Sequence, residues 1–574
     1  MNIFDIYSVK IVDLIKKNKK LLQIKDFNNF KGVTVENPPE EFDFDLSCNI
    51  CLILAKNNNL NPKELASNFK NIILKEFQDI SKIEVAGPGF LNIKLSNEAI
   101  QDLIKKIFKK KKTYGASFKK KKYNIEFVSA NPTGPMHVGH CRGAIYGDVL
   151  CNLLKFNGND VIKEYYINDY GNQIKNFTKS VFLRIREIKY NEKFINDLDL
   201  YPGDYIIDIA KKIISEKKIV NYENFEDCYE LLSNESLKLS MKLITDDLQQ
   251  LGIKHDNFFS EKYLIKNNLV SKTIDKLKKN NLVEEAYLKP PKGEENENWK
   301  KIKRLVFKSS LYGDDTDRAL QKNDNSWTYF ANDIAYHADK VNRKFDCLIN
   351  VLGADHTGYI KRITAAVNAL SDNKVKLECR VCQLVKLFKN GEPFKMSKRA
   401  GDFIAAKDLL DEVSKDSIRF MMLNRSNDVE LDFDFDKVLE KNKDNPVFYV
   451  QYCYARICSL FRSLNLKPDD SIKFDYNNFS LNKYESILLR KIFDWPKVID
   501  TASNKYEPHR ISFYLYELAT LFHSYWSKGN DDENYKFIQD GKCKNINTIS
   551  IIKLVLIVVE NGMKILDVSL PKKM

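Results

Sequence analysis

"YNIEFVSANPTGPMHVGHCRGA", residues 123–144, sets two histidines three positions apart in a loop rich in glycine and proline. The apolar alternation of "YNIEFVSA" predicts a strand, "NPTGPMHVG" a loop, and His140 to about Lys155 a helix. A strand that ends in a glycine-bearing loop and feeds a helix N-terminus is a ready anion site, because backbone N–H groups and the helix dipole converge there. His137 and His140 add two potential cations pointing back over the loop, and Gly139 is expected to leave room for a flat base or ribose. A zinc hydrolase would show H-E-x-x-H instead. A nucleotide phosphate and a plain turn with two surface histidines both fit the stretch on its own.

Outward from that stretch, "DVIKEYYIND" reads as a second strand, and lysine-faced helical patterns fill roughly 174 to 285. "LKPPKGEENENW" (288–299) is a charged loop, "FDCLINVLGADH" (345–356) a buried strand ending in a turn, and "CRVCQLVKLF" (379–388) another strand. Such alternation predicts a parallel sheet with helices on both faces. From about 405 the pattern is almost wholly helical, which suggests a separate bundle. Residues 1–104 mix helical patterns with a hairpin, "KIEVAGPGFLNIKL" (82–95), turning at Gly-Pro-Gly. Between them "KKIFKKKKTYGASFKKKK" (105–122) holds ten lysines. It is read as a solvated linker at a domain boundary, the alternative being a strip along a phosphate backbone.

Composition narrows the class. A chain of 574 residues with 43% hydrophobic side chains can bury several cores. The longest apolar run, "SIIKLVLIVV", is broken by Lys553 and too short for a bilayer, and the N-terminal stretch reads as no targeting signal, so a cytoplasmic protein without a membrane partner is expected. The net charge of +14 suits a polyanionic partner, although the first arginine is Arg142 and lysine is enriched throughout. Two C-x-x-C pairs, Cys48/Cys51 and Cys379/Cys382, lie on opposite halves of the chain, unlike the compact spacing of a zinc module. "LSCNICLILA" reads as a helix with both thiols on its apolar face, so no structural zinc is expected and the 11 cysteines are read as reduced core thiols.

A second motif, "FKMSKRAGDF" (394–403), clusters cations around a serine and a glycine. Lys395 and Lys398 on a triphosphate would stabilise the charge that phosphoryl and adenylyl transfer spread over phosphate oxygens. K-M-S-K alone has many chance matches; after H-x-G-H in this order it is a strong signal.

Together the motifs resemble the class I aminoacyl-tRNA synthetases. "YINDYGNQI" (166–174), "YGDDTDRAL" (312–320), "TYFANDIAYHADK" (328–340), "VLGADHTGYIKR" (351–362), "DNPVFYVQYCYARI" (444–457) and "LDVSLPKKM" (566–574) resemble the bacterial arginyl-tRNA synthetases, over essentially the whole chain. The resemblance implies an α/β multidomain protein: a Rossmann-like parallel-sheet catalytic domain with a helical insertion over 119–405, a small α+β domain over 1–112 that touches the tRNA elbow, and an α-helical anticodon-binding bundle over 406–574. It implies an arginine–tRNA ligase that uses ATP with Mg²⁺, binds arginine and its cognate tRNA, and is monomeric. His137, His140, Lys395 and Lys398 are the implied catalytic groups. ATP would lie on Asn131, Gly134, Pro135, His137, Gly139, His140, Met396, Ser397 and Lys398. Asp333 and Tyr329 would hold the guanidinium, Asn131 and His356 the amino end, and Glu126 would line the same pocket, with Asp169 and Asp355 as outer neighbours. Phe90 and Asn92 would meet unstacked tRNA bases, and Tyr449 and Arg456, near Gln451 and Tyr452, the anticodon end. Asn325 stands where the family turns on glycine, a left-handed geometry that asparagine tolerates. A tRNA-binding relative without activity, a cysteine-type synthetase with a pocket zinc, and a small nucleotidyltransferase are the rival readings; the intact loops, the cysteine spacing and the long helical domain argue against them in turn.

Overall fold

The computed structural model describes residues 2–26, 29–39, 41–195, 197, 199–217, 221–287, 303–394, 404–468, 470, 472 and 474–574. Two compact units emerge, Lys119–Glu440 and a discontinuous one made of Met1–Phe118 with Lys441–Met574.

The contiguous unit is built on five parallel strands: β1 (Lys122–Glu126), β2 (Asp160–Ile167), β3 (Asn257–Ser260), β4 (Cys347–Gly353) and β5 (Lys376–Cys382). Helix α1 (Val138–Phe156) joins β1 to β2, and three helices, the last of them α2 (Phe225–Gln250), lead to β3. Helix α3 (Tyr329–Asn342) precedes β4, and α4 (Ile360–Ser371) carries the chain to β5. The sheet order is β5-β4-β1-β2-β3. Strand order therefore reverses between β1 and β4, the switch point beyond whose carboxyl ends ligands of such sheets bind. The register there pairs Glu126 with Asn350.

Packing against β1 explains the local sequence. Gly147 sits where α1 crosses Phe127; a Cβ there would lie 2.3 Å from the ring, so only glycine permits the approach. Phe127 itself is fully buried. Beyond β5 the chain forms β6 (Val385–Lys389), which pairs in parallel with β7 (Leu431–Asp434). The insertion between β2 and α2 packs on α2 around a separate core, with Phe177, Val181, Ile206, Ile209 and Leu232 buried together.

In the discontinuous unit a four-stranded antiparallel sheet includes the expected hairpin, Ile80–Ala86 against Phe90–Leu95. Four long helices, Pro446–Ser463, Lys483–Lys505, His509–Asp531 and Ile546–Leu566, complete it.

Four expectations need correction. The segment 257–260 is a strand, hidden in the sequence because its four residues lie between helical patterns. "LSCNICLILA" is not one helix: Cys48 ends a strand and Cys51 lies in the helix that starts at Ile50, both buried and reduced. Residues beyond 405 are not wholly helical, since β7 pairs back to β6. The lysine-rich stretch is not a solvated linker. Ile100, Leu103, Ile104 and Ile107 bury one face of the helix Asn97–Lys110, and Tyr114 and Ala116 are buried as well. The indole of Trp495 donates to the Tyr114 carbonyl at 2.9 Å, and the Tyr114 hydroxyl donates to the Ile492 carbonyl at 3.0 Å. The lysines ride on the exposed faces of a packed segment. Asn325 does adopt the left-handed conformation expected of it, with φ of 64°.

Candidate functional site

At the head of α1 the two histidines stack, ring centroids 3.6 Å apart and planes inclined by 28°. The His137 backbone N–H donates to His140 Nδ1 at 3.3 Å, which leaves the ring hydrogen of a neutral His140 on Nε2. Burial drives His140 down to about 3, with His137 adding to the effect, and burial also lowers His137. The pair is therefore neutral near pH 7, which corrects the expectation of two cations. Gly139 is corrected too. The space above it holds the His137 ring, whose Cε1 and Nδ1 would stand 2.8 and 2.9 Å from a Cβ.

The loop is held from several sides. Asp247 on α2 accepts from the Met136 N–H at 3.1 Å, and burial raises its pKa to about 6. The Tyr205 hydroxyl donates to the Thr133 carbonyl at 2.9 Å, its ring lying against Gly134 where a Cβ would come within 3.0 Å. Val138 N–H donates to the Ile404 carbonyl, and Ala406 N–H to that of Met136, in a short antiparallel bridge. Arg142, one turn into α1, is 1% exposed and donates to the carbonyls of Gln383, Val429 and Ser426 at 2.7–3.0 Å. These bonds fix α1 against the segments flanking β6 and β7. Lys395, Met396, Ser397 and Lys398 lie outside the described residues.

Across the switch point lies an acid-rich wall. Asp333, on α3, accepts a hydrogen bond from the Tyr359 hydroxyl. Burial raises Asp333 to about 7 against the pull of that bond, and the charges of Glu126 and Glu261 push the same way. Glu261, buried at the start of the short helix after β3, accepts from Asn332 Nδ2 at 2.9 Å, and burial raises its pKa. Tyr329, one turn before Asp333, is 70% exposed beneath the Lys322 ammonium, so the tyrosine that meets Asp333 is Tyr359. Glu126 bonds Lys340 Nζ at 2.5 Å and Ser129 Oγ at 3.3 Å. Asp169 ties β2 to the β3 end, accepting from Ser260 Oγ at 2.6 Å and Lys262 N–H at 2.8 Å. Asn131 is exposed and accepts from Asn168 at 3.3 Å. His356 and Asp355 stand 3.4 Å apart on an exposed turn after β4. Sequence reasoning missed Tyr359 and Glu261, although Tyr359 sits within a quoted motif; each reaches the wall only through tertiary pairing.

In the discontinuous unit Phe90 is 38% exposed, whereas Asn92 is buried and accepts from Ser47 Oγ at 2.7 Å, so its amide oxygen is engaged inside the sheet. Arg456 stacks over Tyr452 and Trp526 and donates to His523 Nδ1 at 3.0 Å and to the Tyr452 hydroxyl at 2.8 Å. Tyr449 packs on His523, and Gln451 donates to the Ser569 carbonyl at 3.0 Å. Aromatic rings thus surround the Arg456 guanidinium, with His523 buried beneath Tyr449 and Tyr452.

Among the described residues no three His, Cys, Asp or Glu side chains gather as metal ligands, and no helix is long and apolar enough to cross a membrane.

Residues 103–442 match the family profile "tRNA synthetases class I (R), catalytic domain", residues 10–95 "Arginyl tRNA synthetase N terminal domain", and residues 450–574 "DALR anticodon binding domain". The arginine–tRNA ligase of Pelagibacter ubique is 53% identical over 577 residues, and that of Bartonella bacilliformis 43% over 592, each covering 100% of both chains. The arginyl-tRNA synthetase structure from Thermus thermophilus shares the fold with a TM-score of 0.71 at 18% identity, covering 99% of this chain and 100% of that one.

Proposed function

The chain belongs to the arginyl-tRNA synthetase family and is an ATP-using arginine–tRNA ligase, and from that premise we propose which of its residues perform each part of the reaction. Arginine lies across the switch point with its guanidinium on Asp333 and Glu261, Tyr359 steadying Asp333. Tyr329 closes the open side, Asn131 and His356 take the amino end, and Glu126 lines the floor. The single observation that carries this reading is the half-buried Asp333 carboxylate, held by Tyr359 among other acids where strand order reverses. A planar group with five donors needs acceptors of this kind fixed in place.

The arginine carboxylate attacks the α-phosphorus of ATP, forming arginyl-adenylate and releasing pyrophosphate. The adenylate then passes its arginyl group to the terminal ribose hydroxyl of tRNA, releasing AMP. His137 and His140 donate N–H bonds to phosphate oxygens, and Lys395 and Lys398 meet the same oxygens from the K-M-S-K segment. Asn131, Gly134, Pro135, Gly139, Met396 and Ser397 complete the nucleotide site. Mg²⁺ accompanies the triphosphate. Phe90 stacks on an elbow base, and Tyr449 and Arg456 work at the anticodon end. A monomer in the cytoplasm completes the proposal.

ATP–pyrophosphate exchange measured with each amino acid, with and without tRNA, tests it. Exchange supported by arginine and enhanced by tRNA is expected; arginine giving no more exchange than lysine would overturn the pocket assignment.

A further inference from the structure

A helix packed on a sheet ordinarily turns apolar residues inward at i, i+4 and i+7. Helix α3 instead places Asp333, His337 and Lys340 at that spacing. His337 is 3% exposed and Lys340 wholly buried. The Lys340 ammonium donates to Glu126 Oε2 at 2.5 Å and to Asn350 Oδ1 at 3.2 Å, and lies 4.3 Å from the Tyr336 ring centroid. Asn350 Nδ2 donates to His337 Nε2 at 2.9 Å, and His337 Nδ1 donates to the Asp333 carbonyl at 2.8 Å. Burial, reinforced by the Lys340 charge, drives His337 down to about 3, so the ring is neutral and has the one donor and one acceptor this chain requires. The polarity runs one way, from Lys340 through Asn350 and His337 to the main chain of Asp333.

The chain crosses the switch point, because Glu126 and Asn350 are register partners on β1 and β4. An interior ammonium carries a desolvation cost of several kcal/mol, which a methionine of similar volume would avoid. Filling space does not account for Lys340. Joining Glu126 on one wall to Asp333 on the other does.

We propose that Lys340 is a positioning residue of the amino-acid pocket: it aims the Glu126 side chain and, through Asn350 and His337, fixes the turn of α3 that presents Asp333. The inference rests on the reading of Asp333 as the guanidinium partner. Lys340 is sealed from substrate and acts only through these neighbours. Its loss lets both walls relax, so arginine must re-order them on binding, while the histidine pair at the phosphates lies outside the chain of bonds.

The test uses the full chain, with Lys340→Met, Lys340→Met combined with Glu126→Gln, and Asp333→Asn compared in ATP–pyrophosphate exchange and thermal melting. Lys340→Met is expected to raise KM for arginine by about tenfold or more while kcat and KM for ATP stay within about threefold. Should Lys340→Met fail to fold because Glu126 has lost its partner, the double variant replaces the carboxyl group that faced Lys340. It is expected to melt near the parent and still show the raised arginine KM. An arginine KM within about twofold of the parent in any folded Lys340 variant overturns the inference, as does a loss shared equally by kcat and KM for ATP, which marks general loosening. A parental KM in Asp333→Asn overturns the pocket reading instead, whatever the Lys340 variants do.

Discussion

Gly139 illustrates how tightly single atoms are set at the head of α1. Alanine favours helices over glycine by about 1 kcal/mol, so Gly139→Ala on its own would steady the first turn of α1. The added methyl, however, would stand 2.8 Å from His137 Cε1, and the ring must move. Activation kcat is expected to drop by at least about tenfold, with arginine KM unchanged, because a displaced donor loses its bond to the transition-state oxygen. Unchanged kcat in exchange assays would place His137 outside the chemistry. Asp333 offers a prediction in pH. Its pKa is raised to about 7, chiefly by burial, and in the proposed pocket the guanidinium needs the ionised form. Arginine KM should therefore fall as pH rises from 6 toward 8 and then level off. Asp333→Asn should abolish that slope and weaken arginine binding by about 2 kcal/mol or more. A slope that survives in Asp333→Asn assigns the titration to another acid.

Elements differ in how much of them the sequence discloses. The β1–loop–α1 unit was legible because strand, glycine loop and helix start are neighbours in the chain, and local pattern decides each. The neutrality of His137 and His140 was not, since it comes from burial under segments distant in sequence. Likewise β3 is only four residues long, and its place at the sheet edge comes from pairing with β2. Tyr359 and Glu261 reach Asp333 and Asn332 only once α3, β3 and β4 have assembled. The lysine-rich stretch misled because lysines outnumber the few side chains that anchor it. Gly115 there has φ of 107°, and a Cβ would lie 2.6 Å from Trp495 Nε1. Gly115→Ala is thus expected to lose about 2 kcal/mol or more of stability, from overpacking added to a left-handed backbone. A urea melt followed by Trp fluorescence measures it; a parental midpoint would mean the indole yields freely.

For the whole molecule, buried imidazoles set the acid limit. His255 and His523 are held at about 4 and His337 at about 3, mainly by burial, against 6.5 for the exposed group. The unfolded chain takes up protons below pH 6.5 that the folded chain refuses, so stability is whole above that pH and declines as pH drops toward 4. Each such histidine should cost about 1 kcal/mol by pH 5.5, read as a lower urea midpoint than at pH 7.5. An unchanged midpoint would mean these rings protonate in place. Only at this scale does the order of the chain matter as well. Lys119–Glu440 is contiguous, whereas Met1–Phe118 shares its unit with Lys441–Met574. During synthesis the first segment emerges early but meets Trp495 only after all of Lys119–Glu440 has been made, a wait on the order of half a minute at ordinary elongation rates. Throughout that interval Tyr114 and Ala116 have no Trp495 helix to bury them. Until the helix Lys483–Lys505 has been made, Tyr114 and Ala116 therefore stay open to proteases and chaperones.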